Sequence, residues 1–90
     1  MKYLIGQVLT EYIQNQGKSF NRYALEREFD QSALTQIRNG YCTAKADRLS
    51  NLIDLELLKE PLKTEIEALI PSLDVETLID VYNAIYRNKQ

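Results

Sequence analysis

The side chains that most often carry catalysis or bind metals are scarce in this chain of 90 residues. There is no histidine and Cys42 is the only cysteine, which excludes an internal disulfide and the common zinc-ligand spacings. The carboxylate pairs Asp54/Glu56 and Glu65/Glu67 lie two residues apart on predicted helices, so their side chains diverge. No acid–base pair or activated nucleophile is indicated. We therefore expect neither an enzyme nor a bound metal or cofactor.

Composition indicates a folded helical protein. Hydrophobic residues make up 44% and charged residues 27% of the chain, which is ordinary for a globular domain. Glycine and proline total only five, and nearly all lie between long runs of good helix formers. The chain is short for two independent cores. We therefore predict one all-α domain over residues 1–90.

Charge is distributed unevenly although the net charge is only -2. Residues 1–50 contain seven Lys/Arg and five Asp/Glu, whereas residues 51–90 contain four and eight. An anionic partner is therefore expected to meet the first half of the chain.

The sequence offers no candidate membrane segment. No apolar run approaches the roughly 20 residues needed to span a bilayer. The N-terminal apolar stripe is interrupted by Gln7, Thr10 and Glu11, which argues against a signal peptide. Together with the unpaired cysteine, this predicts a cytoplasmic protein in a reducing compartment without a membrane partner.

The first half of the chain is predicted to form three helices. Apolar residues at helical spacing indicate a first helix that ends near Gln16, before Gly17. Ser19 is a good N-cap for a second helix that ends near residue 28, and Asp30 is a good N-cap for a third. Because glycine tolerates the left-handed conformation, Asn39-Gly40 predicts the end of the third helix.

The second half adds two or three helices. A stripe from Ala46 to Leu57 predicts a fourth helix, and Pro61 is suited to begin a fifth that Pro71 ends. A sixth helix, capped by Ser72 or Asp74, carries apolar residues from position 75 to 86 on one face.

The spacing in residues 21–40 resembles a known DNA-binding motif. Ala24 lies sixteen residues before Gly40, with the apolar Phe29 in the turn and Leu34 and Ile37 on the inner side of the next helix. This is similar to the helix-turn-helix of the phage Cro and repressor proteins, also called the XRE family, and the resemblance covers about residues 3–58. It implies a lambda-repressor-like fold whose second motif helix enters the major groove.

Two residues depart from the family pattern. Arg27 lies where the family usually has an inward leucine, and its methylenes can cover the edge of the core while the charge stays in water. Glu28 replaces the glycine common in the turn and would be strained if its φ is positive.

The resemblance implies which side chains meet DNA. On the third helix one set faces outward and can read base edges, because amides pair with adenine and hydroxyls contact several bases: Gln31, Ser32, Thr35 and Gln36. This set is called the polar face below. The flanking candidates for phosphate contacts, which position a protein without reading sequence, are Lys18, Arg22, Arg38, Asn39, Lys45 and Arg48.

The sequence thus predicts a small DNA-binding transcriptional regulator of phage or bacterial type. Because one recognition helix contacts few base pairs, we expect a homodimer on a palindromic operator. Residues 60–90 form the candidate dimerisation element, through Leu78, Val81, Tyr82, Ile85 and Tyr86, or else they simply cover the core. The alternative function is a protein–protein interaction module, such as an antirepressor, an antitoxin-like partner or a phage-encoded inhibitor, which the overall acidity favours.

Overall fold

The computed structural model describes residues 2–67 and 72–88, which contain helices and no strand. The helices are α1 Leu4–Asn15, α2 Phe20–Glu26, α3 Gln31–Asn39, α4 Ala46–Leu49, α5 Glu56–Glu65 and α6 Val75–Asn88. The predicted all-α fold class is confirmed. The chain forms two compact units, an N-terminal unit (residues 2–43, α1–α3) and a C-terminal unit (from residue 44, α4–α6).

The helix starts in the N-terminal unit follow from short polar side chains. Ser19 Oγ accepts a hydrogen bond from the Arg22 N–H at 3.2 Å, and Asp30 Oδ1 accepts one from the Ser32 N–H at 3.2 Å. Each side chain satisfies a first-turn donor that has no partner within its own helix. Both capping predictions are confirmed, and α1 ends at Asn15, before Gly17, as expected.

Helix α2 ends at Glu26, two residues earlier than predicted, through a left-handed residue at Glu28. Glu28 has a φ of 52°, and the Phe29 N–H donates to the Ala24 carbonyl at 2.9 Å. A side chain in this conformation costs about 1–2 kcal/mol. The turn into α3 is therefore strained at Glu28, as its departure from the glycine pattern suggested.

Helix α3 ends like α2, with a left-handed residue followed by an N–H that bonds to the carbonyl five residues earlier. At the end of α3 the left-handed residue is a glycine, so there is no strain. Gly40 has a φ of 76°, and the Tyr41 N–H donates to the Gln36 carbonyl at 3.0 Å. The closure satisfies carbonyls at the helix end and leads the chain directly into Tyr41.

The core of the N-terminal unit rests on a close approach between α1 and the last turn of α3. A Cβ atom placed on Gly6 would lie 2.6 Å from the Arg38 carbonyl oxygen and 2.8 Å from that of Ile37. Leu34 and Ile37 are fully buried, as are Ile13 on α1 and Tyr23 on α2. Only a residue without a side chain allows the α1 backbone to lie this near α3.

The C-terminal unit departs from the predicted helix boundaries. Helix α4 spans only Ala46–Leu49, so the prediction of one helix from Ala46 to Leu57 is wrong. The chain turns after Leu49, and the buried Leu52 and Ile53 continue the apolar stripe from this turn. Spacing alone did not distinguish a buried turn from a helix.

Pro61 lies inside α5, as its sixth residue, so the prediction that it begins a helix is wrong. A proline there lacks the N–H that would bond to the carbonyl four residues earlier, which costs about 3 kcal/mol. The fully buried Leu58 and Leu62 lie on one side of α5 and hold the helix across this defect. The predicted end at Pro71 lies outside the described residues, as do Leu69 and Ile70.

Helix α6 is capped by Asp74, whose Oδ1 accepts from the Thr77 N–H at 2.8 Å. Hydrogen bonds from the side chain and backbone of Thr77 hold the pKa of Asp74 below its ordinary 3.8. On the inner side of α6 the buried Asn83 amide donates to the Ala44 carbonyl at 2.8 Å. This bond joins α6 to the residues that lead into α4.

Replacing Gly6 by alanine is expected to destabilise the protein by about 1–3 kcal/mol, because the new methyl group would overlap main-chain carbonyls that have no rotamer to change. Urea unfolding followed by circular dichroism measures this. Gln7→Ala, at the next, exposed position of α1, is the control and should stay within about 0.5 kcal/mol of wild type. Equal stability of the two variants would contradict the close approach.

Glu28→Gly is expected to stabilise the protein by about 0.5–1 kcal/mol, because relief of left-handed strain exceeds the greater chain entropy of glycine when unfolded. The matched control is Arg27→Gly, one residue earlier at a φ of -93°, where glycine relieves no left-handed strain and is destabilising through its entropy and the lost contact with the Tyr23 ring. Thermal unfolding of both variants tests the turn geometry; a lower melting temperature for Glu28→Gly would refute it.

Candidate functional site

The polar face of α3 lies on the surface of the N-terminal unit. Gln31, Ser32 and Gln36 are exposed and Thr35 is half-buried, whereas Leu34 and Ile37 are completely buried. The helical period produces this separation, since positions 34 and 37 lie on the side of α3 that meets the core. The four polar side chains therefore share one accessible surface.

The other residues assigned to the motif core lie at the inner side of the same unit. Ala24 on α2 and Gly40 after α3 are buried, and Phe29 in the turn is half-buried. Helices α1 and α2 both pack against α3. These contacts fix which side of α3 faces solvent.

Tyr41 extends the polar face beyond the end of α3. Its side chain is 79% exposed and lines an open groove together with the four residues of the polar face. The sequence left two places open for Tyr41, near a DNA backbone or covering the core, and did not select it as a site residue. Its position directly after Gly40 could have indicated this placement. The left-handed Gly40 turns the chain back beside the last turn of α3, where Tyr41 then lies.

Gln31 is held in place from α2. Its side-chain amide Nε2 donates a hydrogen bond to Asn21 Oδ1. An amide group has two N–H donors and one carbonyl acceptor, so Gln31 retains a donor and an acceptor for a further partner. Asn21 is a second site residue that sequence reasoning did not select.

Two of the predicted phosphate-binding residues are paired with a carboxylate. Lys18 Nζ lies 2.6 Å from Glu26 Oε2, and Arg22 Nε lies 3.4 Å from Glu26 Oε1. The hydrogen bond from Lys18, assisted by Arg22, holds the pKa of Glu26 below its ordinary 4.5. Glu26 is therefore ionised at neutral pH and offsets part of the positive charge. These three residues are called the Glu26 cluster below.

The remaining basic candidates lie in different surroundings. The Arg38 guanidinium carbon is 4.6 Å from the centroid of the Phe20 ring, and its Nε donates to Asn39 Oδ1 at 3.4 Å. Lys45 and Arg48 are exposed and belong to the C-terminal unit. Within the N-terminal unit, Arg38 and Asn39 thus place polar groups at the C-terminal end of α3.

Arg27, which departs from the motif pattern, is exposed, with its guanidinium carbon 5.3 Å from the centroid of the buried Tyr23 ring. The planar cation covers an aromatic face at the edge of the core while its charge stays in water. This arrangement matches the role suggested from the sequence.

The candidate dimer residues on α6 are mostly interior. Leu78, Tyr82 and Tyr86 are buried within the C-terminal unit, with the Tyr82 and Tyr86 rings stacked at 6.3 Å between centroids. Val81 is 39% exposed and Ile85 is half-buried. Of the five residues, only Val81 and Ile85 present apolar surface, and the wide stripe of α6 mainly covers its own core.

A metal-ligand cluster and a membrane-spanning helix are both absent from residues 2–67 and 72–88. These residues contain no group of three side chains suited to hold a metal ion. Within the same ranges, no helix combines the length and apolar character needed to cross a bilayer. Cys42 is a half-buried thiol that forms no disulfide.

Comparison of the chain with protein-family models, with curated proteins and with solved structures finds no match.

Proposed function

We propose that the chain is a small sequence-specific DNA-binding regulator that reads bases through the polar face of α3. The observation that carries this proposal is the presentation of two amides and two hydroxyls together on one short helix whose opposite side is fixed in the core. Such groups match the donors and acceptors at base edges in the major groove. Helix α3 contains no acidic residue that would repel phosphate.

Arg38 and Asn39 are the proposed phosphate contacts of the N-terminal unit. They lie at the end of α3, where contacts to the DNA backbone would set the position of the helix in the groove. The stacking of Arg38 on Phe20 orders the side chain and leaves its charge intact. Lys45 and Arg48 are further candidates from the C-terminal unit.

A dimer is part of this proposal. A helix of nine residues covers only a few base pairs, so useful specificity needs two half-sites about one helical turn apart. The two-fold interface is proposed to use Val81 and Ile85, the members of the α6 set that present apolar surface. A regulator of this kind would act where the DNA is, in the cytoplasm of a bacterial cell.

One observation favours a second function, a protein-interaction module on the same scaffold. Leu25 on α2 is 78% exposed and offers apolar surface that a protein partner would cover. The pairing of Lys18 and Arg22 with Glu26 also reduces the attraction of this unit for a polyanion. In this second proposal the protein partner contacts Leu25.

The decisive experiment is selection of bound duplexes from a random DNA pool at about 100 mM salt, with the oligomeric state measured by light scattering on the same sample. A dimer that enriches a palindrome with half-sites about one turn apart would establish the regulator. A folded protein that enriches no sequence would favour the protein-interaction function, which a Leu25→Ser pulldown comparison would then test.

Gln36→Ala is expected to weaken binding to the selected operator by about 1–3 kcal/mol, because a bidentate contact to a base is lost. Binding to random DNA and the melting temperature should change little, since Gln36 is exposed. Gln14→Ala removes an exposed glutamine from α1 and serves as control. Gln31→Ala should behave like Gln36→Ala, with an added loss from its bond to Asn21. Equal losses on both DNAs would refute base reading.

Arg38→Ala is expected to weaken operator and random DNA alike and to reduce the slope of log affinity against log salt by about 0.9, as for one phosphate contact. Arg38→Lys keeps the charge and should restore most of the slope. Fluorescence anisotropy across a salt series measures both quantities. An unchanged slope in Arg38→Ala would place the arginine away from the DNA backbone.

A further inference from the structure

The Glu26 cluster lies on and just before α2, the helix whose first turn bonds to the polar face of α3. Asn21 bonds to Gln31, so the first turn of α2 borders that face, and Arg22 follows Asn21 in the same turn. Glu26 lies one helical turn after Arg22, and Lys18 reaches it from the residues before α2. Two of the cations predicted to contact phosphates are thus paired with one carboxylate.

We propose that Glu26 is a specificity-determining residue that withholds Lys18 and Arg22 from DNA phosphates and thereby keeps sequence-independent binding weak. This inference rests on the proposed DNA-binding function. The attraction between proteins and any DNA comes from cations that replace condensed counterions on phosphates. A cation already bound to a carboxylate gains less from a phosphate, and the carboxylate itself repels the backbone.

The N-terminal unit has few positive charges, so pairing two of them with Glu26 removes a large share of its attraction for DNA. Residues 2–43 contain five Lys/Arg and four Asp/Glu, so the cluster engages two of only five cations. The polar face carries no charge and can supply discrimination without general attraction. Specificity is the difference between the binding free energies for the operator and for random DNA. Weakening the binding to random DNA therefore raises specificity as effectively as strengthening the binding to the operator.

The ion pairs also have a purely structural explanation, in which Lys18 ties the chain before α2 to the helix. A structural role alone would make loss of Glu26 lower the melting temperature and leave the salt dependence of DNA binding unchanged. The withholding role instead makes loss of Glu26 tighten binding to random DNA. The two roles therefore predict different results in a binding measurement, no change for the structural role and tighter binding for the withholding role.

The test compares Glu26→Gln with Glu11→Gln, which removes the same charge from the exposed face of α1. Affinity for a random-sequence duplex of about 20 base pairs is measured by anisotropy from about 50 to 300 mM salt. Glu26→Gln is expected to steepen the salt slope by about 1.8, for two freed cations, and to bind roughly tenfold tighter at about 100 mM. Its preference for the operator should fall correspondingly.

The triple variant Lys18→Gln, Arg22→Gln, Glu26→Gln removes both the carboxylate and the cations, so its slope and affinity should return to those of wild type. If wild type selects an operator but Glu26→Gln binds random DNA no better than Glu11→Gln, the inference is overturned and the proposed function stands. If neither wild type nor Glu26→Gln binds any duplex, both are overturned together.

Discussion

The N-terminal unit depends on the contact between the α1 backbone at Gly6 and the carbonyls that end α3. With a Cβ position only 2.6 Å from the Arg38 oxygen, α1 lies directly on the main chain of α3 and no side chain separates them. A main-chain contact cannot relax through a change of rotamer, so the approach fixes the axial position of α3 closely. The burial of Leu34 and Ile37 then fixes its rotation. The orientation of the polar face follows from these two constraints.

The two left-handed residues define where α2 and α3 end, and they do so at different cost. Gly40 adopts its φ freely, while Glu28 adopts a similar one under strain. That strain is tolerated because Tyr23 and Ala24 hold α2 in the core before the turn and the Asp30 cap holds the start of α3 after it. Tyr41 owes its place beside the polar face to the closure at Gly40.

The electrostatics of the site suit recognition by hydrogen bonds more than by general attraction. The chain has a net charge of -2, and the polar face has no charged member. Glu26 engages Lys18 and Arg22, and Arg38 stacks on Phe20. The proposed regulator would therefore discriminate through a few base contacts while binding unrelated DNA weakly. The same weak general attraction for DNA is also consistent with the second proposed function, in which a protein partner contacts Leu25.

By itself the sequence determined the helical class, the starts of α2 and α3 and the end of α3, because Ser19, Asp30 and Gly40 act on backbone groups within a few residues of themselves. The sides of α3 also followed from its period. Only the tertiary structure decided that α4 stops at Leu49 and that Pro61 lies within α5, since burial of neighbouring leucines outweighs local signals. It likewise decided that Tyr82 and Tyr86 on α6 are interior and that Lys18 meets Glu26. These outcomes depend on which surfaces and side chains the folded chain brings together, and residue spacing does not encode that.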